Sequence, residues 1–397
     1  MTLDLARVIG EINALVAGLD GARDRARHDR LQLAWDTLDS AEVNRRYEGA
    51  RTSFLLPRAS GDYRGRSPLP ACPPAYAVAG TDGSIILPDR HSPARFYLLN
   101  IGKVLLRYGA AHGARLETEP RIYARDEDLY VPDDVRRTPV NEKIIGLRRA
   151  AAELGAAREM LAELTEPGVA LQDGTLILWS LESERDAVVD WVLPEFLAAL
   201  DAFRAHGVPV ASYISAPGSA ELLNMLRVSV CDYPPSAINC DRCRGRIASE
   251  GHSPACDVLP GVTDKRLLAG VARLAPGERT TVYASQSKVL DRYEYHGSND
   301  LRICYFYLNV GHEIARVEIP RWVAEDLDQL ELVHSVIFDQ CQRGQGYPTV
   351  LQEAHELAVL SMADRKLVER AIERQLAQVG IVATLTGKGG SKRVRAV

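Results

Sequence analysis

Three consecutive segments in the middle of the chain constrain the fold most strongly. Residues 169–179 (VALQDGTLILW) are typical of a buried strand, and residues 208–215 (VPVASYIS) are typical of another. Between them, residues 191–207 predict an amphipathic helix that is closed by Gly207. Strand, helix and strand in direct succession indicate a mixed α/β domain.

Further strands are predicted on both sides of this unit. Residues 75–85 (AYAVAGTDGSI) predict a buried strand that ends in a turn at Asp-Gly, and residues 96–109 predict a second strand. A charged loop at 120–138 and a long helix at 139–165 follow. Later strands are expected over three apolar stretches, which are residues 280–288, 301–310 and 314–320.

The domain boundaries are predicted from changes in composition. Residues 1–55 predict an N-terminal helical arm of two helices, which is either a solvated pair or a surface for a dimer or partner. Residues 56–75, rich in Pro, Gly and Arg, predict a linker. The main domain is expected over 76–366, interrupted by an irregular, cysteine-bearing insertion at 228–262. A C-terminal helix and basic tail are expected at 367–397.

Composition narrows the functional class only slightly. The formal net charge of -5 argues against a protein that coats DNA without specificity, although a local basic groove can coexist with an acidic average. No run of eighteen apolar residues is present, and the acidic N-terminal stretch does not resemble a signal peptide. With an odd count of seven cysteines, these features predict a cytoplasmic protein without a membrane span.

Two segments share a pattern that is suited to metal chemistry. Asp82 in GTDGS and Asp173 in QDGT each join an apolar run and precede a glycine and a hydroxyl residue. Carboxylates on neighbouring strands can converge on a hard cation, and the glycine permits close approach. Asp-Gly is also a common turn, so either copy alone favours the turn. Glu153 could add a third carboxylate or form a surface ion pair with Arg149.

Other side chains could contribute to such a site. His355, on a helix after the Gly-Tyr347-Pro turn, could bind metal, hold a phosphate or relay a proton, or could simply be a helix residue. Lys288 and Arg227 are candidates for phosphate contacts to DNA, with a solvated surface role as the alternative. Trp322 is expected in the core and not as a platform for base stacking.

Four cysteines lie in the irregular insertion, with His252 nearby. They could hold a structural zinc ion, but their spacing is not that of a standard zinc finger. Free thiols are the favoured interpretation, and a redox or disulfide role is the third alternative. The four are Cys231, Cys240, Cys243 and Cys256. The other three, expected to be ordinary buried or linker residues, are Cys72, Cys304 and Cys341.

Taken together, the motifs resemble those of the NurA nuclease family. The resemblance covers residues 76 to about 366 and rests on the order of TDGS, LRRAAAELG, LQDGTLI, YISAPGSAELLNMLR, RVEIPRWVAED and GYPTVLQEAHELA. It implies an RNase H-like mixed sheet core with flanking helices and with N- and C-terminal helical additions. It also implies manganese- or magnesium-dependent digestion of DNA ends, dimerisation, and association with a hexameric HerA-type ATPase.

The resemblance also implies a particular set of site residues. Its five members are Asp82, Glu153, Asp173, Tyr347 and His355. The three acids and the histidine would be metal ligands. The third acid stays open, because Glu142 and Glu159 lie on the same predicted helix.

The implied function is a metal-dependent deoxyribonuclease, an exonuclease on DNA ends that also cuts single strands. Bound divalent ions neutralise the charge that builds up on a phosphodiester during cleavage, and carboxylate ligands suit magnesium or manganese better than zinc. One alternative is a catalytically silent adaptor that binds DNA or a helicase, and another is a phosphatase acting on a small substrate. No P-loop or G-x-G-x-x-G motif is present, so an ATPase partner must supply any energy.

Overall fold

The computed structural model describes residues 3–17, 21–88, 95–110, 112–133, 137–161, 164, 166–243, 255–258 and 262–378. His252 and the basic tail lie outside this part of the chain. The chain divides into two compact units. The first comprises Met1–Pro57, Gly61–Tyr63 and Pro217–Leu274, and the second comprises Arg58–Ser60, Arg64–Ala216 and Ala275–Val397.

The described helices are α1 (Leu5–Ala17), α2 (Gly21–Asp36), α3 (Ser40–Gly49), α4 (Asp126–Leu129), α5 (Glu142–Leu161), α6 (Asp186–Ala205), α7 (Glu221–Ser229), α8 (Asp264–Leu267), α9 (Val289–His296), α10 (Arg321–Ala324), α11 (Leu327–Arg343), α12 (Thr349–Ala358) and α13 (Met362–Gln378). The strands are β1 (Arg66–Ser67), β2 (Tyr76–Ile86), β3 (Tyr97–Tyr108), β4 (Gly113–Tyr123), β5 (Tyr130–Val131), β6 (Thr138–Pro139), β7 (Gly168–Asp173), β8 (Val210–Ile214), β9 (Arg279–Thr280), β10 (Tyr283–Ala284), β11 (Ile303–Asn309) and β12 (Ile314–Pro320).

The second unit is built on one large mixed sheet. Its strands follow the order β1-β9-β11-β12-β8-β7-β2-β3-β4, and β10 also pairs with β11. The first three long strands, β2, β3 and β4, form an antiparallel meander. Both β7 and β8 run parallel to β2, and the helix α6 connects them. The predicted mixed α/β architecture with flanking helices is therefore confirmed.

Both faces of the sheet are covered by apolar packing. On one face, Ala77 and Ala79 of β2 belong to the same core cluster as buried residues of α5 and α6. On the other face, Val78 of β2 packs in a cluster with buried residues of α11 and α12. Burial on both faces explains why β2 and β7 are nearly continuous apolar runs.

Two glycines bring α12 unusually close to the sheet. A Cβ atom on Gly80 of β2 would lie 2.8 Å from the backbone oxygen of Val350, and one on Gly102 of β3 would lie 2.3 Å from that of Ala354. Real Cβ atoms do not approach other atoms this closely, so only glycine permits this packing. The close approach fixes α12 directly over the Asp82 segment.

Several boundaries predicted from the sequence are wrong. β2 does not end at Asp82; it continues to Ile86 because Gly83 pairs with Ile101 of β3. Residues 120–123 belong to the strand β4, which was not predicted because most of its side chains are exposed. The segment at 169–179 leaves the sheet after Asp173, where Gly174 has a φ of 90°.

Two further secondary-structure predictions also need correction. The N-terminal segment contains three helices instead of two, because α3 forms a separate helix capped by the Asp39 side chain. The strand predicted at 280–288 reduces to the short strands β9 and β10. No described helix is both long enough and apolar enough to cross a membrane.

Candidate active site

The register of the parallel strands places the two aspartates side by side. Thr81 of β2 is the partner of Gln172 of β7, so Asp82 and Asp173 occupy the next, adjacent positions on these two strands. Successive side chains alternate between the faces of a sheet, so the two aspartates project from the same face. That is the face covered by α12. The structure thus brings together the two acids that the Asp-Gly pattern predicted.

His355 lies directly over this pair of acids. Its Nδ1 is 2.7 Å from Oδ2 of Asp82, a hydrogen bond that the ring N–H donates to the carboxylate. The His355 side chain is 62% exposed, whereas that of Asp82 is 15% exposed, so the imidazole faces solvent above a largely covered carboxylate. Oδ1 of Asp82 accepts a 2.7 Å hydrogen bond from the backbone N–H of Gly83.

Tyr347 reaches the second aspartate. Its phenol hydroxyl donates a hydrogen bond to the carboxylate of Asp173. Its ring meets the ring of Tyr213 edge to face, with the centroids 5.4 Å apart. The turn before it contains Gly346, whose φ is 117°, a conformation that favours glycine. Burial and the nearby Asp173 carboxylate raise the pKa of Tyr347, so its hydroxyl stays protonated as a donor.

Glu153 approaches from the opposite face of the sheet. It belongs to α5 and is 3% exposed, and its Oε2 accepts a 3.2 Å hydrogen bond from the side-chain amide of Gln172. Nε of Arg149 lies 3.1 Å from Oε1, but it is not aligned as a hydrogen-bond donor, and Oε1 has no hydrogen-bond partner among the described residues. The Arg149 guanidinium also donates to the carbonyl of Gly83 at 2.8 Å.

Gly83 is the residue of β2 against which the Glu153 side chain packs most closely. A Cβ atom at this position would lie 2.7 Å from Oε1 of Glu153 and 2.8 Å from Cγ of Arg149. The missing side chain therefore leaves the space in which the carboxylate of Glu153 sits beside the Asp82 segment. This close approach explains why glycine follows Asp82 even though no turn forms there.

Two of the three acids, Glu153 and Asp173, have raised pKa values. The pKa of Glu153 is raised to about 8. The largest cause is burial, which outweighs the opposing effect of the Arg149 guanidinium, and the charges of Asp82 and Asp173 also contribute to the rise. Desolvation also raises the pKa of Asp173, which is opposed by the hydrogen bond from Tyr347. Groups of carboxylates with raised pKa values occur where a cation or a proton is to be bound.

Some residues of the site were not predicted from the sequence. Gln172 was treated only as part of a motif, yet it is 3% exposed and anchors Glu153. Arg149 was interpreted as a surface ion pair, whereas it contacts both Glu153 and the backbone next to Asp82. The usable signal for Gln172 is a polar side chain inside an otherwise apolar strand, which requires a buried partner.

Other candidate residues are not assembled around these acids. Lys288 is exposed at the beginning of α9. Arg227 belongs to the other compact unit, where its guanidinium lies over the ring of Phe54 at 4.7 Å. DNA contacts by Lys288 and Arg227 stay predictions. Trp322 packs against both core clusters of the sheet, as expected for a core residue.

The cysteines of the insertion form no disulfide bond with any cysteine that the structure describes. Cys231 is buried, and Cys240, Cys243 and Cys256 are half-buried. Burial raises the pKa of Cys240 and, to about 11, that of Cys256, so these groups are thiols and not thiolates at neutral pH. A structural zinc ion in this segment stays a prediction.

The oxygen donors of the acidic site suit a hard divalent cation, although the side chains are not arranged around a common point. No group of three or more His, Cys, Asp or Glu side chains in the described part of the chain is arranged so that it could hold a metal ion. Asp82 is instead bonded to His355, and Glu153 to Gln172. Oxygen donors nevertheless predominate, and one buried oxygen of Glu153 lacks a hydrogen-bond partner, as a magnesium or manganese site requires.

The large mixed sheet, with Asp82 and Asp173 adjacent on two parallel strands, defines a mixed α/β protein with a paired-carboxylate site. A family model described as the NurA domain matches residues 76–360. The chain therefore belongs to the NurA family, which is a family of nucleases. No curated protein matches the chain.

Proposed function

We propose that this protein is a manganese- or magnesium-dependent deoxyribonuclease. It would hydrolyse phosphodiester bonds at DNA ends and also cut single strands, in end processing, double-strand-break repair or phage defence. The observation that supports this most strongly is the adjacency of Asp82 and Asp173 on β2 and β7, with His355 only 2.7 Å from Asp82. Family membership adds the expectation of a nuclease.

Four side chains are the proposed metal ligands: Asp82, Glu153, Asp173 and His355. When bound, the ion would neutralise the charge that develops on the phosphoryl oxygens and would lower the pKa of a bound water. Binding requires that Asp82 gives up its bond to His355 and that Glu153 loses its proton. The raised pKa of Glu153 makes that loss dependent on pH near neutrality.

The remaining side chains would position the substrate. Tyr347 donates its hydrogen bond to Asp173, which orients that carboxylate. His355 is largely exposed, so once released from Asp82 its imidazole could contact the scissile phosphate or transfer a proton to the leaving oxygen. Arg149 donates a hydrogen bond to the carbonyl of Gly83, next to Asp82, and its positive charge would attract a phosphate.

The core is proposed to be RNase H-like, as the family resemblance implies. An antiparallel meander of β2, β3 and β4, followed by β7 and β8 parallel to β2, supports this proposal. Asp173 ends β7, and Asp82 lies beside it on β2, so the acids lie near the carboxyl end of β7, the usual place for a site in a parallel α/β arrangement.

Partners are proposed from the family and from one exposed surface. A homodimer and a hexameric HerA-type ATPase are the expected partners, in the cytoplasm. In support of association, α1 exposes Leu5, Ile9, Ile12 and Leu15, each by more than half of its surface. Light scattering that finds only monomer at micromolar concentration would contradict the dimer. Failure to retain the cognate ATPase in a pull-down would contradict that partner.

The nuclease proposal is tested by digestion of end-labelled duplex and single-stranded DNA with the full-length protein. We expect cleavage with manganese or magnesium, loss of cleavage with excess chelator, and recovery when manganese is added back. Asp186→Asn is the matched control for asparagine substitutions at the proposed metal ligands Asp82 and Asp173. Its side chain is 92% exposed, so this variant should cleave DNA like the wild type. Cleavage that persists undiminished in excess chelator would overturn the metal-dependent mechanism.

A catalytically silent DNA- or helicase-binding adaptor is the second candidate. One observation favours it: among the described residues, no three ligating side chains are already placed to hold an ion. The same protein preparation separates the two candidates. An adaptor would shift DNA in a binding assay, or bind the ATPase, without cleaving DNA at any concentration of manganese or magnesium.

A further inference from the structure

The turn that follows Asp173 is held by buried side chains from distant parts of the chain. Gly174 takes a φ of 90° and donates its N–H to the carbonyl of Tyr213 at 3.1 Å. The next two residues leave the sheet: Thr175 is half-buried, and Leu176 lies in the core of the second unit. The position of the Asp173 carboxylate therefore depends on how firmly this turn is fixed.

Glu318 of β12 makes the central contact with this turn. One of its oxygens, Oε2, accepts a 2.7 Å hydrogen bond from the hydroxyl of Thr175 and a 2.9 Å hydrogen bond from the backbone N–H of Leu176. Its other oxygen, Oε1, accepts from Nε of Arg316 at 3.0 Å. Glu318 is 1% exposed and Arg316 is 3% exposed, so water hardly competes for these bonds.

The sheet places Glu318 at the level of the active-site strands. Ser212 of β8 is the partner of Gln172 on one side and of Glu318 on the other, so these three residues form one row across β7, β8 and β12. The row lies one residue before Asp173. The backbone of the turn is held again further along, because Tyr293 donates to the carbonyl of Leu176 and accepts from the N–H of Leu178.

We propose that Glu318 is a positioning residue, which holds the turn after Asp173 through Thr175 and Leu176 and thereby fixes the Asp173 carboxylate for binding the divalent ion. This inference rests on the proposed function. A charged side chain buried in an apolar strand is costly unless its hydrogen bonds are filled. Here one of its two oxygens, Oε2, binds only the turn beside the acidic site, where a small displacement of a ligand weakens ion binding.

The test uses Thr175, because its substitution leaves the buried Glu318–Arg316 pair intact. Thr175→Val removes, at nearly constant volume, the hydroxyl that donates to Glu318 and accepts from the Ile177 N–H, and Thr175→Ser retains both functions as a matched control. We measure manganese binding to the full chain without DNA by calorimetry, and the manganese concentration that gives half-maximal cleavage. We expect both constants to rise about tenfold in Thr175→Val and to stay near the wild-type values in Thr175→Ser.

A second variant guards against a purely structural effect. Glu318→Gln keeps one acceptor oxygen, and its effect on manganese binding should not add to that of Thr175→Val, since both variants weaken the same link. Wild-type manganese affinity in Thr175→Val and Glu318→Gln, with the wild type itself active, would overturn the positioning role alone. A wild-type protein that neither binds manganese nor cleaves DNA would instead overturn the proposed function.

Discussion

The two Asp-Gly segments of this protein have the same sequence pattern and different structures. At Asp82-Gly83 the strand continues, and the glycine is needed because the Glu153 carboxylate occupies the space of a side chain, 2.7 Å from the Cβ position. At Asp173-Gly174 the strand ends, and the glycine is needed because its φ is 90°, with no atom within 4 Å of its Cβ position. One glycine serves packing and the other serves backbone conformation.

This difference teaches that a dipeptide identifies the acids but not the local fold. Both aspartates reach the same site because β2 and β7 are adjacent and parallel in register. Whether the chain turns after the aspartate is decided by its neighbours: Gly83 pairs with Ile101 of β3, whereas Gly174 is followed by a turn held by Glu318. The following predictions separate the role of the acids from the roles of the two glycines.

The largest effect is expected at the aspartates themselves. Asp82→Asn and Asp173→Asn should each reduce turnover about a thousandfold, because loss of a metal ligand removes several kcal/mol of charge stabilisation. Although their backbones differ, the two variants should lose similar amounts of activity. Rates of DNA cleavage at saturating manganese, together with melting curves, check this. A variant with near-normal turnover would remove its residue from the site.

The next effect is expected at the first glycine. Gly83→Ala should reduce activity about a hundredfold with a small change in melting temperature, because the new methyl group displaces the flexible ends of Glu153 and Arg149 and no backbone. Gly146→Ala is the control, since nothing lies within 4 Å of its Cβ position on the same helix as Glu153. Equal activity in the two alanine variants would show that Glu153 is not required.

His355 is expected to matter for chemistry more than for stability. Its side chain is 62% exposed, so His355→Ala should shift the free energy of unfolding by no more than about 1 kcal/mol. A rise in the manganese concentration for half-activity would identify a metal ligand, and a lower rate, by about ten- to a hundredfold, at saturating manganese would identify a proton or phosphate role. If neither changes, His355 is an ordinary helix residue.

The pH dependence of stability is expected to reveal Glu153. Its pKa is raised from 4.5 to about 8, so the folded protein binds this proton more tightly than the unfolded chain does. The resulting stability is fully present below pH 4.5 and is lost as the pH rises to about 8. Unfolding of the metal-free protein by denaturant at several pH values should show this loss, and Glu153→Gln should reduce the slope. A slope unchanged by Glu153→Gln would contradict the raised pKa.

The smallest effect on activity is expected at the second glycine. Gly174→Ala places a side chain at positive φ without any clash, so it should cost about 1 kcal/mol of stability and change activity by less than about tenfold. For Gly83→Ala, in contrast, we predict a large loss of activity and a small change in melting temperature. Melting temperature and turnover, measured on both variants side by side, check the contrast. If Gly174→Ala proved the more damaging to catalysis, the interpretation of the two glycines would be wrong.

The sequence was sufficient for the parts of the fold that depend on local pattern. The apolar runs of β2, β3, β7 and β8 and the helices α5 and α6 were predicted because their periodicity reflects burial. The strand β4 was not, because most of its side chains are exposed and four of its eleven residues are charged, which resembles a surface loop. The end of β2 was misplaced because pairing with β3 continues through Asp-Gly, and pairing is a long-range property.

The site residues also divide into those predicted from a local motif and those that depend on long-range contacts. Asp82 and Asp173 were found because their motif carries its own chemistry, whereas Gln172 and Glu318 were missed because their partners lie far away in the sequence. A signal did exist in both cases, namely a polar side chain inside an apolar strand. Its meaning depends on which buried donor or acceptor faces it, and only the tertiary structure supplies that information.

The most direct test of the central claim is a crystal structure of the full chain soaked with manganese, with the ions located by anomalous scattering. The account predicts a peak bound by Asp82 and Asp173, with Glu153 turned toward it and the Asp82–His355 hydrogen bond broken. The Asp82→Asn variant should lose this peak under the same conditions. A peak elsewhere, or none at a manganese concentration that supports cleavage, would contradict a catalytic site built on these acids.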